Sequence, residues 1–318
     1  SSPEILFGAA SRLTKNIRLG FGVVVLPQHH PVRVAEKIAT VDQLSDGRVD
    51  FGTGRGGAYE QVGLNVDPRL SRSMWEESIN MIPKMWAQGE FAWEGKHWNI
   101  PSRNVIPKPF QNPHPPMWLA GMQPETYRIA ADKGLGVLSL STGAPAEMAP
   151  YIKEYKENIK KANPVGDMVN DQWAHLAVSN CGEDDRLAKD TAVTALKSFF
   201  GPDRPYTKGE GDIYKQLIKA WGGVPDHLKN QFSWVLKEDE DSVPKSREAR
   251  ETSVNVSGIE GFDSDTLSDR GVIIAGDPES CKEGVRIHQE AGEDQVLLLM
   301  QLDTIPHEEV IKSIKLFG

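Results

Sequence analysis

Nearly continuous apolar runs recur along the chain, and between them apolar residues return at helical spacing. The first run, residues 17–26 (IRLGFGVVVL), reads as a strand covered on both faces. A stiff PQHHP connection follows. Val32, Ala35, Ile38, Ala39 and residues 41–44 then line one face of a helix, which Ser45-Asp46-Gly47 ends. Residues 49–54 read as the next strand, and residues 55–70 as a polar loop of the kind that carries function. Strand, helix and strand, with glycines and one arginine at the carboxyl edge, make a βαβ unit.

The rest of the chain repeats that rhythm. Residues 71–86 are amphipathic, with Met74, Ile79, Met81, Ile82 and Met85 turned inward and Pro83 bending the later part. Residues 88–116 hold too much proline for a central strand and read as a rim hairpin or an extended cover. Further strands are expected at 117–121, 136–141, 173–180 and 296–300, with a weaker one at 271–276. Helices are expected from 124, over 146–162 (long and exposed), 183–200, after 276, and over 306–317. Alternating strands and helices predict a parallel sheet in a single domain spanning residues 1–318. Residues 201–270 break the pattern with two charge-rich stretches. They read either as a solvated surface insertion or as a lid over a ligand pocket. At the other end, Ser2-Pro3-Glu4 opens a helix that leads straight into a buried strand, an unusual start that predicts missing upstream structure.

Composition narrows the function. In 318 residues, 39% hydrophobic and 25% charged positions are ordinary for a globular chain with a sizeable core. A formal charge of −9 offers no basic face to nucleic acid or to an anionic membrane. A bound phosphate is still compatible with it, since that takes only one or two placed arginines. No run has the length of a membrane span, and no secretory signal opens the chain. Cys181 and Cys281 lie far apart and match no metal or redox spacing, so a reduced cytoplasmic protein is the simplest reading.

The segments LPQHHPVRVAEKIATVDQLSDGRVDFGTGRG, SRSMWEES, PPMWLAGMQPETYRIAADKGLGVLSLS and AGDPESCKEG, with the closing VLLLM and EEVIKSIKLFG, resemble the bacterial luciferase-like flavin-dependent monooxygenases. The resemblance covers almost the whole chain and is weakest across 201–270. It implies a TIM-type (β/α)8 barrel, here N-terminally truncated and lacking its first two strands, with the flavin at the carboxyl ends of the strands. Family members carry a histidine-containing motif beside the flavin in the segment upstream of this start. No residue here corresponds to it, so the resemblance assigns no catalytic residue. The implied activity is oxygenation of a small organic substrate (an aldehyde, ketone, alkene or sulfonate) with dioxygen and reduced FMN. No dinucleotide fingerprint is present, so a separate flavin reductase would supply the cofactor. Two alternatives remain open: hydride transfer with a deazaflavin, and a non-catalytic flavin-binding or partner subunit. The family implies a homodimer or heterodimer.

Candidate cofactor contacts follow. Arg55 ends a strand inside a glycine loop, where a fixed guanidinium holds phosphate bidentately; the plainer reading is a salt bridge on the barrel rim. Gly56 and Gly57 offer backbone N–H groups or merely turn the chain. Arg72 begins the next helix, and the resemblance implies that it too reaches the phosphate, against a plain surface arginine. Gly121, Met122 and Gln123 place amides like a phosphate cradle, with Thr126 adding a hydroxyl. Met122 and Gln123 depart from the small hydroxyl residues usual there, which leaves only their backbone roles. Gly22 and Val23 match the position that presses on the isoalloxazine ring, sometimes through a non-proline cis peptide; otherwise Val23 is a core valine. His29 and His30 are candidate general bases, although neighbours in sequence cannot both face one site. His97, His114 and His175 read as isolated, without metal-ligand spacing. The acidic run 238–241 reads as solvated surface, and Trp93, Trp98 and Trp118 as packing. The phosphate reading demands that Arg55 lie at the same end of the sheet as residues 121–126.

Overall fold

In the computed structural model, Pro3 opens α1 (Pro3–Leu13), its missing N–H being one that a first helical turn leaves unpaired anyway. The structure describes residues 2–140, 143–200, 261–302 and 304–318, together with 215, 218–220, 222–224 and 229. Most of the proposed lid segment, and the acidic run 238–241, lie outside the described residues.

After α1 come β1 (Leu19–Val25), α2 (Pro31–Leu44), β2 (Val49–Gly54), α3 (Ala58–Gly63) and α4 (Ser71–Trp86). An antiparallel hairpin, β3 (Phe91–Glu94) and β4 (Asn99–Arg103), occupies part of the proline-rich excursion, for which a hairpin is one of the two readings. Then follow β5 (Met117–Gly121), α5 (Pro124–Asp132), β6 (Gly136–Ser139), α6 (Pro145–Asn158), β7 (Trp173–Cys181) and α7 (Asp185–Phe200). The chain closes with α8 (Ser264–Asp269), β8 (Ile273–Gly276), α9 (Pro278–Glu290), β9 (Gln295–Leu299) and α10 (His307–Phe317).

The main sheet has seven strands, all parallel where they pair, in the order β1-β2-β5-β6-β7-β8, with β9 also on β7. β7 serves three neighbours because it is long. β6 pairs near its start and β8 near its end, while β9 runs along the opposite edge, since Val178 faces both Ile273 and Leu299. The strands predicted from apolar runs are all present, including the weaker one at β8.

Two expectations change. β1 is not covered on both faces: Gly20 and Gly22, which alternate with buried Leu19 and Phe21, are exposed. The helix expected to be exposed over 146–162 buries Met148, Ile152 and Tyr155 against the sheet-side core.

Side chains alternate across each strand, so the sheet feeds two separate apolar layers. On its outer face Phe51 packs with Trp75, Ile79, Ile82 and Trp86 of α4 in the largest core cluster. On the other face Trp118, Leu138 and Ala174 form a smaller cluster, with Val23 and Ala120 packed against it. The two cysteines meet, contrary to their distance in sequence. Cys181 of β7 and Cys281 of α9 share a cluster with Ala177 and Ile274, and burial raises both thiol pKa values.

The joint between α2 and β2 is polar and fully paired. Asp42, 0% exposed, takes Phe110 N–H and Gln111 N–H on Oδ2 at 2.8 and 2.9 Å. Its Oδ1 takes Gln111 Nε2 at 2.8 Å and Val49 N–H at 3.4 Å. Arg48 reaches the other way, donating to the carbonyls of Ser11, Thr14, Ile17 and Ser45 and so tying α1 to the start of β2. Replacing Asp42 by Ala strands buried donors, each costing about 1–3 kcal/mol. Asp42→Ala is therefore expected to lower unfolding free energy by about 3 kcal/mol or more, measured as a shift in urea midpoint at constant slope.

Candidate functional site

The site is built where β1 and β2 press together. The register between them shifts after Phe21, and the Gly22–Val23 peptide is cis. A Cβ on residue 52 would stand 1.9 Å from the Phe21 carbonyl oxygen, and one on residue 54 would stand 2.9 Å from Val23 Cγ2. Glycine at both positions is thus a packing demand. Val23 comes to rest over Gly54, beside Ala120 and the interior cluster of Trp118, Leu138 and Ala174. The strand position picked out at Gly22 and Val23 is therefore an apolar floor at the carboxyl ends of β1, β2 and β5.

Arg55 is the next residue after β2, at that same end. Its backbone is held from below by Gln61, whose Nε2 donates to the carbonyls of Arg55 and Gly56 at 2.8 and 3.0 Å. The Gln61 Oε1 is buried without a hydrogen-bond partner. Gly56 has φ +72°, a left-handed conformation, and a Cβ there would meet Val25 at 2.8 Å and Glu60 Oε2 at 3.0 Å. The Gly57 N–H donates to that same Glu60 oxygen at 2.6 Å. This loop amide, one of the expected anion donors, is thus held by an internal carboxylate.

Across the strand tip, Arg72 in the first turn of α4 forms a bidentate pair with Glu125 at the start of α5, at 2.7 and 3.0 Å. Gly121 ends β5 under Thr126: a Cβ there would lie 2.4 Å from Thr126 Cγ2. Gln123 accepts the Thr126 N–H through its carbonyl at 2.9 Å, and Met122 is 43% exposed beside it.

The electrostatics join these groups. Burial lowers the pKa of Arg55, and the nearby charge of Arg72 lowers it further, while Glu125 and Glu76 oppose the change. The hydrogen bonds from Arg72 in turn lower the Glu125 carboxyl. Arg55 therefore lies within reach of the charges on both Arg72 and Glu125, at the same end of the sheet as residues 121–126.

The histidines fall elsewhere. His30 caps α2, its Nδ1 accepting from Val32 N–H at 3.3 Å, with its ring edge-on to Trp98. His29 stands by the Lys37–Glu4 ion pair. His97 bonds Ser73 Oγ at 2.8 Å, and buried His114 is clasped between the Pro115 carbonyl and Asp167 N–H. His175 is not isolated: it meets His288 and Glu293. The sequence reading missed Glu60, Gln61 and Glu125, although their positions beside the Arg55 loop and in the first turn of a helix next to Gln123 were visible signals.

Residues 1–295 match the family of luciferase-like monooxygenases. The chain belongs to that family. It is 35% identical over 222 residues to the oxygenase component of a flavin-dependent trigonelline monooxygenase from Acinetobacter baylyi, an alignment covering 68% of this chain and 60% of that protein. The chain therefore spans less than two thirds of that relative's length. The oxygenating constituent of 3,6-diketocamphane monooxygenase from Pseudomonas putida, solved with FMN, aligns at TM-score 0.66 and 18% identity over 99% of this chain and 81% of that one. The coenzyme F420-dependent tetrahydromethanopterin reductase of Methanopyrus kandleri aligns at TM-score 0.65 and 20% identity over 98% and 84%. At such identities the likeness establishes the fold, a luciferase-like TIM-type architecture. Among the described residues of this luciferase-like chain, no helix is long and apolar enough to cross a membrane.

The Gly56 geometry carries a direct test. Gly56→Ala introduces both a disfavoured φ and a contact with Val25, together costing about 1–3 kcal/mol. The variant is expected to unfold at a correspondingly lower denaturant concentration, whereas Gly63→Ala, whose Cβ would meet nothing within 4 Å, should not lose stability.

Proposed function

We propose that this chain binds flavin mononucleotide and acts as the oxygenase component of a two-component monooxygenase, oxygenating a small organic substrate with dioxygen. The observation that carries the proposal is the convergence of Arg55 and Arg72 at one strand tip, beside the start of α5 and above the apolar floor of Val23. Arg55 is half-buried, and burial and the neighbouring Arg72 charge both disfavour its own charge, a cost that a phosphate dianion would relieve. The chemistry of the donor set therefore fits a flavin phosphate.

In this reading Arg55 grips the phosphate and Arg72 exchanges part of its bond to Glu125 for a phosphate oxygen. Val23, Ala120 and Leu138 present apolar surface to the ring. Reduced flavin, when bound, supplies the electrons that activate dioxygen. A separate reductase delivers it, in keeping with the trigonelline relative being named an oxygenase component.

FMN titration followed by flavin fluorescence tests the phosphate site. Arg55→Ala removes charge-assisted hydrogen bonds worth about 1.5–3 kcal/mol and is expected to weaken binding about 10- to 100-fold. Lys282→Ala, a distant surface change, should leave it unchanged. Equal affinity in Arg55→Ala and the parent would overturn the phosphate assignment. Oxygen uptake with chemically reduced FMN and a substrate panel tests turnover: oxygenated product supports the proposal, and release of hydrogen peroxide alone favours the non-catalytic alternative. Retention of a reduced deazaflavin in preference to FMN would favour hydride transfer.

A further inference from the structure

Away from the strand tips, on the helix-facing side of β7, three ionisable side chains from three elements meet. His175 lies near the amino end of β7, His288 in the last turn of α9, and Glu293 in the connection to β9. All three are buried, at 2%, 0% and 8% exposure. Glu293 Oε1 lies 2.7 Å from His175 Nδ1, and Oε2 lies 2.6 Å from His288 Nδ1. The rings meet edge to face at 5.0 Å. We propose that His175, His288 and Glu293 form a structural binding site for one divalent transition-metal ion of the zinc class, distinct from the flavin site.

The hydrogen bonding of His288 supports this. Its Nε2 lies 3.0 Å from the Gly271 carbonyl, which can only accept, so Nε2 carries a hydrogen. In the neutral ring Nδ1 is then a lone pair, and it faces a carboxylate oxygen at 2.6 Å. Two lone pairs at that distance repel and so attract a cation: a proton fits the gap as it stands, and a zinc ion bound to both atoms would hold them about 3.3 Å apart. An imidazole whose outer N–H is anchored on a backbone carbonyl, with its inner nitrogen beside a carboxylate, is the arrangement that orients a metal ligand. Neutral imidazole and carboxylate are the donors that zinc takes, at about 2.0–2.2 Å. The candidate ligand atoms already lie within 4.8 Å of one another, so one ion reaches all three after small ring movements. Such an ion would join β7, α9 and the approach to β9, which are otherwise linked by packing and hydrogen bonds.

The rival cation is the proton: an imidazolium at His288 also satisfies these distances. Metal-free full-length protein titrated with zinc chloride against a chromogenic chelator separates the two. One equivalent bound per chain, with a rise in melting temperature, is expected. His288→Gln should lose that affinity by more than the about 10- to 100-fold typical of losing an outer partner, while Glu279→Gln, on the exposed face of α9, should retain it. No stoichiometric uptake by the parent, or uptake undiminished in His288→Gln, would overturn the site in favour of a triad held by protons. Should His288→Gln fail to fold, X-ray absorption at the zinc edge of the loaded parent decides. Two imidazole ligands support the site, and their absence refutes it.

Discussion

The approach of β1 to β2 sets the geometry of everything around the candidate site. With the Phe21 carbonyl oxygen 1.9 Å from where a Cβ on residue 52 would be, no side chain fits between the strands. The close contact lets β1 shift register at Gly22–Val23 and turn Val23 into the interior over Gly54. Arg55 follows Gly54 directly, so its place on the rim is inherited from that contact. A methyl group at position 52 would push the strands apart and move the floor and the guanidinium together, since packed interiors transmit strain.

Much of this was legible because buried parallel strands leave unmistakable apolar runs. The seven main-sheet strands, the rim hairpin and the helix starts at Pro3, Pro31, Pro124 and Pro278 all follow from local pattern. The motif DQLSDGRVDFGTGRG was legible as a unit but not in its division of labour. Asp42 and Arg48 hold a joint, Gly52 and Gly54 admit a neighbouring strand, and Arg55 lies within reach of the Arg72 and Glu125 charges. Contacts between remote residues left no local trace. His175 and Glu293 are 118 positions apart, and nothing in the spacing of single histidines announces their meeting. The open face of β1 was misread because an apolar run records what a strand is able to bury, not which neighbours arrive to cover it.

Charge is distributed unevenly between the two ends of the fold. At the amino-terminal end of the sheet, Asp42 and Arg48 are saturated by backbone groups and leave no appetite for a ligand. At the carboxyl ends, burial works against the charge of Arg55, and the Arg72 charge adds to that.

Two carboxylates take donors at this end of the sheet: Glu60 holds the Gly57 amide and Glu125 the Arg72 guanidinium. On the proposed flavin reading, entry of a phosphate would be a displacement, in which the guest takes over part of the bond that Arg72 makes to Glu125. Selectivity at such a site would rest on the difference between the two sets of bonds. With no guest bound, Glu60 keeps the Arg55 loop tied through the Gly57 amide, and Glu125 keeps the starts of α4 and α5 joined through Arg72.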